Sequence, residues 1–488
     1  MELAIWLIII PLLTAFSLGL IRFLFKKYYK ELTLIANIVY FILVIIVVKE
    51  ALKEPIVYNI GAWDSLVGIN LIIDSFSAIF LLLIALLSLL VLIYSFQYIK
   101  KNEFKYYVLY SLLLVGVTGM VTTGDLFNLF VFFEITSITS YALTAIKEED
   151  KSIEGAFKYL LLGTISGGFI LLAIIITYQS LGTLNLPLLA QNFAEVPSFL
   201  KQLTLVLYLV GFATKFALIP LHTWLPDAYP QAPVSFNVLS SGLVIKASFY
   251  ALIRILYLFF GVDFISNTNL GNLLIYWGVV TFLVAHTVAY QQDNIKRLLG
   301  YSSIAQMGYI IVGFGLATEL GVIAGSYHLI NHAIMKGALF LAVGIFIYYL
   351  NNQRIEQLRG SAYLLPFTSL IFVIGSLAIV GLPPFNGFIS KWLLIQASLE
   401  AGHIIAAFAI PVGSLLSLTY YLKAISALYS KPVREEKRIK PSWRLKLPTL
   451  VLGFLCLFLG LAPDLLMTIL EKIPEFLLES SNYIDLLL

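Results

Sequence analysis

Long apolar runs alternate with short polar segments along almost the whole chain. Runs of about 20 apolar residues have the length that an α-helix needs to cross a hydrocarbon core of about 30 Å. The pattern predicts fourteen such spans, and we therefore expect an all-α polytopic membrane protein. The cores of the predicted spans are residues 3–24, 30–48, 75–98, 107–123, 126–146, 155–178, 203–219, 234–258, 271–290, 300–316, 320–350, 366–380 continuing to 401, 404–429 and 447–470.

Two of the predicted spans are interrupted by prolines. The seventh meets four prolines between residues 220 and 233, and the twelfth breaks within GLPPFNG at 381–387. The breaks are five crossings apart, so the two broken helices run in opposite directions through the membrane. This arrangement predicts two inverted five-helix repeats, in which broken helices line a polar pathway near the midplane.

The predicted repeats divide the chain into four parts. These are spans 1–3 in residues 1–106, the first repeat in 107–258, the second repeat in 271–429, and a cytoplasmic loop with span 14 in 430–488. Alternating residues and two glycines in segment 55–74 predict a short extracellular hairpin. The charge run at 431–446 is interpreted as a solvated loop.

Basic residues are distributed unevenly between the two sides of the membrane. Loops after odd-numbered spans carry most of the 31 Lys and Arg residues. The opposite side carries Lys49, Lys53, Lys201 and Lys472. Because basic loops stay cytoplasmic, we predict a multi-pass protein of the cell membrane with both termini on the extracytoplasmic side.

Composition agrees with a membrane protein and narrows its chemistry. Hydrophobic residues make up 60% of the chain and charged residues 12%. The single cysteine, Cys456, cannot form a disulfide framework or a multi-cysteine iron–sulfur or zinc site within the chain. No pattern indicates a nucleotide loop, soluble hydrolytic catalysis or a nucleic-acid partner. We predict neither a cofactor nor a metal site, so any electron transfer belongs to a partner.

Ionisable residues lie in the middle of several predicted spans. Each costs roughly 2.5–3.5 kcal/mol at the bilayer centre on insertion scales, so a set of them indicates function. His328, His332 and Lys336 follow each other at steps of four and share one helix face. The candidate ion-translocating residues are Glu134, Lys215, Lys246, His328, His332, Lys336 and Lys391.

Each of these residues also has a purely structural interpretation. Glu134 and Lys215 can form a static ion pair, and a histidine on an apolar face is usually a packing residue. Long basic side chains near span ends can reach the interface, which we prefer for Arg254 and Lys423. The residues with a packing or an open interpretation are His222, His286, His403 and Lys158.

The motifs around these residues resemble one family. The chain looks like the antiporter-like subunits shared by respiratory complex I, membrane-bound hydrogenases and related reductases, and Mrp-type cation/proton antiporters. The resemblance covers roughly residues 70–430. Its motifs are FFEITSITSYAL, ATKFALIPLHTWLPDAYPQAP, SGLVIKASFYALIR, NIKRLLGYSSIAQMGYI and HLINHAIMKGALF.

The resemblance implies roles for individual residues. The fifth-span glutamate and the seventh-span lysine of the family act as a pair, which here is Glu134 with Lys215. The central lysine of the family resembles Lys246 or Lys336. Its terminal twelfth-span residue, lysine or glutamate, matches Lys391.

The leading hypothesis is a proton- or cation-translocating subunit of a multisubunit membrane complex. Burial disfavours a charged lysine and a nearby carboxylate favours it, so a glutamate–lysine pair can act as a protonation switch. Histidines suit relay positions between lysines. The predicted partners are other membrane subunits, protons and sodium ions, and the lipid bilayer. The alternative is a self-contained secondary transporter of a small solute.

Overall fold

Helices occupy most of the chain up to the first break. The computed structural model describes residues 2–25, 28–63, 68–431 and 438–486. A helix satisfies its backbone groups within the segment, which is what an apolar run requires in lipid. The helices before the first break are α1 (Leu3–Phe25), α2 (Tyr29–Ala51), α3 (Ser75–Tyr98), α4 (Glu103–Thr122), α5 (Leu126–Ala145), α6 (Asp150–Leu181), α7 (Leu186–Asn192) and α8 (Ser198–Lys215).

The remaining helices begin after the first break. Two π-helical segments, Ser240–Val244 and Leu256–Phe260, join α10, α11 and α12 into one long element. The helices are α9 (Leu225–Gln231), α10 (Val234–Leu239), α11 (Ile245–Ile255), α12 (Gly261–Asn267), α13 (Leu270–Tyr290), α14 (Ile295–Gly315), α15 (Glu319–Leu350), α16 (Ser361–Leu364), α17 (Pro366–Val380), α18 (Asn386–Glu400), α19 (Ile404–Tyr429), α20 (Trp443–Leu461), α21 (Asp464–Leu470), α22 (Ile473–Leu477) and α23 (Ser480–Ile484).

The all-α polytopic fold is confirmed. Within the described residues, twelve helices are long and apolar enough to cross a membrane, or thirteen if one pair bent by 120° is counted as a span. The predicted seventh and twelfth spans are not among the twelve. The seventh is divided into α8 and α9, and the twelfth into α17 and α18, of which α17 belongs to the bent pair with residues 355–364. The predicted total of fourteen crossings is reached if α8 with α9 crosses the membrane once and α17 with α18 crosses it once, in addition to the twelve helices.

Most predicted span boundaries agree with the helices, and two differ clearly. The eighth continues beyond 258 through the second π-helical segment to Phe260, and after the non-helical backbone of Gly261, with φ 74° and ψ 166°, α12 extends the element to Asn267. The fourteenth stops at Leu461, well before the predicted 470, since Pro463 follows it and starts the separate α21. Residues 432–437 of the predicted loop at 431–446 lie outside the described residues.

The predicted hairpin in segment 55–74 is present. Strands β1 (Ile56–Asn59) and β2 (Asn70–Ile73) pair antiparallel, with Ile56 opposite Ile73 and Asn59 opposite Asn70. Residues 64–67 between the strands lie outside the described residues. The hairpin leads into α3, whose first turn is capped by the Asp74 carboxylate accepting from the Ser77 backbone N–H.

Side chains satisfy the carbonyl groups that the breaks release. After α8, the Trp224 indole donates to the Thr214 carbonyl at 2.8 Å and the Trp277 indole donates to the Ile219 carbonyl at 2.6 Å. After α17, the Lys391 ammonium donates to the carbonyls of Ile379 and Val380 at 3.1 and 3.0 Å. The breaks are therefore polar junctions whose freed backbone groups have protein partners, as membrane depth demands.

Arg254 does not reach an interface, so that prediction is wrong. Its side chain is 1% exposed and binds the fully buried Asp74 through two contacts of 2.7 and 2.8 Å. Tyr250 accepts a further hydrogen bond, and the ring of Tyr483 near the end of the chain lies 4.9 Å from the guanidinium carbon. The partner carboxylate at the start of α3 holds the arginine inside.

Candidate functional site

Lys215 occupies an aromatic cage at the end of α8. Its side chain is buried, and its Nζ donates to the Tyr141 hydroxyl at 3.2 Å. The rings of Phe133, Tyr141 and Tyr159 lie 5.3, 4.7 and 4.8 Å from the same nitrogen. Aromatic faces attract a cation through their quadrupole. The cage can therefore hold an ammonium without a carboxylate in contact.

Glu134 lies at a half-buried position on α5, on the side that faces α6. It lines an open cavity of about 540 Å³ whose wall also includes Tyr141, Ala142, Phe157 and Thr164. One carboxylate oxygen packs directly over Gly167 of α6, where a Cβ atom would collide with it. Because glycine has no Cβ atom, position 167 leaves the space that the Glu134 carboxylate occupies.

Glu134 and Lys215 do not form a salt bridge in the described chain. The carboxylate faces the open cavity, whereas the ammonium faces the aromatic cage. Tyr141 belongs to both environments, because it lines the cavity and accepts a hydrogen bond from Lys215. A direct Glu134–Lys215 salt bridge, which a static pair requires, is therefore absent from the described chain, and Tyr141 is a neighbour that the two groups share.

Lys246 and His332 meet in the centre of the protein. Both are 0% exposed, and the Lys246 Nζ lies 3.1 Å from the His332 Nδ1. The lysine also donates to the backbone carbonyl of Ser241, within the π-helical segment that precedes α11. π-Bulges are frequent at functional sites because they leave carbonyls without a helical partner.

The other two residues of the predicted α15 face have separate partners. His328 contacts the Ser390 hydroxyl and the Gln306 side-chain oxygen, each at 2.9 Å. Lys336 donates to the Leu299 carbonyl at 2.9 Å and to the Tyr421 hydroxyl at 3.4 Å. Both side chains are 0% exposed. The face is entirely buried, and the partners of His328 and Lys336 are neutral groups.

Lys391 ends the row at the second break. Beyond the two carbonyls of α17, its Nζ donates to the Ser414 hydroxyl at 2.9 Å and lies 4.8 Å from the centre of the Tyr309 ring. A cation at the C-terminal end of a helix is favoured by the helix dipole. The position therefore suits an ammonium, although no carboxylate in the described chain pairs with it.

Lys158, whose role the sequence left open, lies outside the row. It forms ion pairs with Glu154 at 2.9 Å and Asp227 at 3.1 Å, and its side chain is 46% exposed. Arg297 binds the same aspartate at 3.1 Å. Exposed ion pairs contribute little to stability, so this cluster is a charged surface where α6, α9 and α14 meet.

Sequence reasoning missed the aromatic and hydroxyl groups of the site. Tyr141 could have been identified from the sequence, because it follows Glu134 by seven residues and so lies two turns along the same helix face. Tyr159 and Phe133 carried no such signal. His286, interpreted as a packing residue, contacts two buried tyrosine hydroxyls. Aromatic residues are 14% of the chain, so their number alone could not single these out.

Comparisons with known proteins agree on one family. The family model described as "NADH:quinone oxidoreductase/Mrp antiporter, TM" matches residues 123–417, and that of the complex I chain 5 N-terminus matches residues 63–107. A NADH-quinone oxidoreductase subunit of Desulforudis audaxviator is 34% identical over 94% of this chain and 96% of its own length. A Na(+)/H(+) antiporter subunit of Alkalihalophilus pseudofirmus is 31% identical over 98% of both chains.

Solved structures extend the likeness to the whole fold. A chain of the membrane-bound sulfane sulfur reductase, an archaeal respiratory membrane complex, superposes with a TM-score of 0.95 at 35% identity over 100% of both chains. A chain of the Mrp complex from Dietzia sp. superposes with a TM-score of 0.89 at 25% identity, again over 100% of both. These relatives are subunits of larger assemblies, and none supports a self-contained transporter. The chain belongs to the family of antiporter-like membrane subunits shared by NADH:quinone oxidoreductases and Mrp antiporters.

Proposed function

We propose that this subunit moves protons or sodium ions across the cell membrane, within a complex whose other membrane subunits supply the driving force. The proposed row is Glu134, Lys215, Lys246, His332, His328, Lys336 and Lys391. One observation carries the proposal: the four lysines of the row are at most 4% exposed, and none has a salt bridge in the described chain. Burying charge without a counter-ion is costly, so these lysines are suited to exchange protons instead of holding permanent charges.

The entrance of the row is proposed to work as a switch. Glu134 lines an open, largely apolar cavity of about 540 Å³, whereas Lys215 rests against Tyr141. An approaching carboxylate would favour the charged lysine, and a departing one would favour release of its proton. The structure, in which Glu134 and Lys215 form no salt bridge, corresponds to the arrangement that favours release of the proton from the lysine. Driving reactions elsewhere in a complex need only shift Glu134 relative to Lys215.

The inverted repeats at 107–258 and 271–429 remain part of the proposal. Each contains a divided fourth helix, and each division lies beside a lysine of the row, Lys215 at the first and Lys391 at the second. The flanking parts 1–106 and 430–488 complete the subunit. The unequal distribution of Lys and Arg supports extracytoplasmic termini.

The proposed switch is tested by two substitutions that keep shape or charge. Glu134→Gln removes the charge, and Lys215→Arg preserves the cation but prevents deprotonation. We expect each to reduce proton or sodium uptake by about 100-fold, the effect of losing a positioned acid or base. Uptake is measured in sealed vesicles that contain the assembled complex, at matched membrane abundance. Full activity of the arginine variant would overturn the switch and leave a structural brace.

A methyl group at Gly167 provides a milder test of the same carboxylate. Gly167→Ala places a Cβ atom against the Glu134 oxygen and must push the carboxylate away from α6. We expect uptake to fall about tenfold, since misplacing a reacting group by about 1 Å already lowers rates strongly. Gly168→Ala is the matched control, because a Cβ atom there meets nothing within 4 Å. Equal uptake by the two variants would contradict a role for the Glu134 position.

A further inference from the structure

His286 is a buried histidine that the proposed row does not include. It lies on α13 with 0% of its side chain exposed. Its Nδ1 lies 3.1 Å from the Tyr420 hydroxyl, and its Nε2 lies 3.1 Å from the Tyr309 hydroxyl. Both ring nitrogens therefore contact groups that can donate and accept a hydrogen bond. This is the environment in which an imidazole can take a proton at one nitrogen and release one from the other.

On one side, the contacts lead from His286 to Lys336. The ring of Tyr420 lies 4.7 Å from the ring of Tyr421. The Tyr421 hydroxyl contacts the Ser302 hydroxyl at 2.9 Å, and Lys336 donates to the same Tyr421 hydroxyl at 3.4 Å. Neighbouring hydroxyl groups thus lead from the imidazole toward the ammonium of Lys336, and the step from Tyr420 to the Ser302–Tyr421 pair is the one that no direct hydrogen bond closes in the described chain.

On the other side, the contacts lead from His286 to Lys391. The Lys391 ammonium lies 4.8 Å from the centre of the Tyr309 ring and donates to the Ser414 hydroxyl at 2.9 Å. Gly413, next to Ser414 on α19, leaves room for the Tyr309 hydroxyl, since a Cβ atom at this glycine would collide with it. The Tyr309 hydroxyl thus contacts the imidazole and the Ser414 hydroxyl contacts Lys391, and the step between these two hydroxyls is not closed by a direct hydrogen bond in the described chain.

We propose that His286 relays protons between Lys336 and Lys391 through the hydroxyl groups of Tyr421, Ser302, Tyr420, Tyr309 and Ser414. This inference rests on the proposed function and assigns a further residue to its path. In each transfer, every hydroxyl oxygen accepts one proton and gives up its own. The imidazole gains a proton at one nitrogen and loses one at the other. The net change is an ammonium converted to an amine at one lysine and the reverse at the other.

The predicted histidines of α15 are connected less well. His328 contacts the side-chain oxygen of Gln306 on one side, and an amide does not readily accept and pass on a proton. His332 Nε2 has no hydrogen-bond partner in the described chain, so no protein atom there joins it to His328. His286 is the histidine with a hydroxyl at both nitrogens. The geometry therefore favours a route through α13 and α19 over one along α15 alone.

The test replaces His286 with glutamine in the assembled complex. Glutamine can still accept one hydrogen bond and donate another, but its amide does not exchange protons as an imidazole does. We expect uptake in sealed vesicles to fall at least about tenfold, as for loss of a positioned proton-transfer group. The matched control is His403→Gln, which alters a histidine at the start of α19 outside the chain of contacts. Activity of His286→Gln close to that of the unmodified complex would overturn the relay.

Tyrosine variants distinguish a relay from a packing role. Tyr309→Phe and Tyr420→Phe each remove one hydroxyl group and retain the ring. If both hydroxyls belong to one path, the double variant is expected to transport no more slowly than the slower single variant. If the two variants instead cause independent packing defects, the fold-reductions in uptake of the single variants would multiply in the double variant. Multiplying defects would therefore contradict the relay. If Lys215→Ala abolishes uptake while all His286 and tyrosine variants transport normally, the relay is wrong and the proposed function stands. If Lys215→Ala has no effect either, the proposed function itself is wrong.

Discussion

Lys215→Ala is expected to abolish coupled ion movement while the subunit remains inserted and assembled. The substitution removes the ammonium that contacts Tyr141 and the aromatic cage. It also removes an insertion cost of roughly 2.5–3.5 kcal/mol for a charged residue at the bilayer centre, so membrane insertion should not suffer. We expect proton or sodium uptake to fall by about 100-fold or more, on the order of the loss of an essential acid or base.

The measurement compares uptake in sealed vesicles at equal amounts of assembled complex. Lys53→Ala is the matched control, because Lys53 pairs with Glu50 on the surface and its side chain is 63% exposed. Lys215→Met adds a second comparison, since it keeps the length of the side chain without its charge. Uptake by Lys215→Ala at the rate of the unmodified complex would exclude Lys215 from the path.

Arg254→Ala is expected to destabilise the subunit strongly. The change leaves the Asp74 carboxylate, which is 0% exposed, without its partner. Removing one member of a buried ion pair costs about 3–5 kcal/mol. Asp74 caps α3, and Arg254 also contacts Tyr483 near the end of the chain, so the loss affects both regions. We expect a lower free energy of unfolding in detergent and a smaller amount of assembled complex.

Two comparisons separate the buried pair from a general effect of charge. Lys105→Ala breaks a surface pair with Glu148, whose side chains are 60% and 58% exposed, and should cost at most about 1 kcal/mol. Arg254→Met combined with Asp74→Asn removes both charges and keeps a side-chain oxygen to cap α3, so it should recover much of the lost stability because no unpaired charge remains. A double variant as unstable as Arg254→Ala would show that packing, not the unpaired carboxylate, causes the loss.

The membrane fold was predictable because hydropathy acts locally. Each span must satisfy its own backbone in lipid, so a run such as residues 75–98 can form a helix without information from the rest of the chain. The two breaks were equally local, since proline removes a backbone donor and cannot continue a helix without a kink. The start of the long element at Val234 was predicted correctly, but no local pattern in the sequence indicated that the element continues beyond residue 258 to Asn267.

The partners of the buried charges were not predictable in the same way. Arg254 and Asp74 are separated by 180 positions in the sequence, and Lys215 and Tyr141 by 74. Position along a span suggested that Arg254 reaches the interface. Only the packing of α3 against the eighth span places a carboxylate beside it. Likewise, the sequence indicated that Glu134 and Lys215 act as a pair, and only the packing of the helices places Tyr141 against both the lysine and the cavity of Glu134.

The sequence by itself determined the spans, the two breaks and the set of ionisable residues buried within them. Those features follow from the cost of exposing backbone groups and charges to lipid, which each segment experiences alone. Tertiary structure alone decided which groups meet: the aromatic cage of Lys215, the contact of Lys246 with His332, and the hydroxyl groups on both sides of His286. Hydrogen bonds act only within about 3 Å, so these contacts depend on how distant helices pack and cannot be read from any single one.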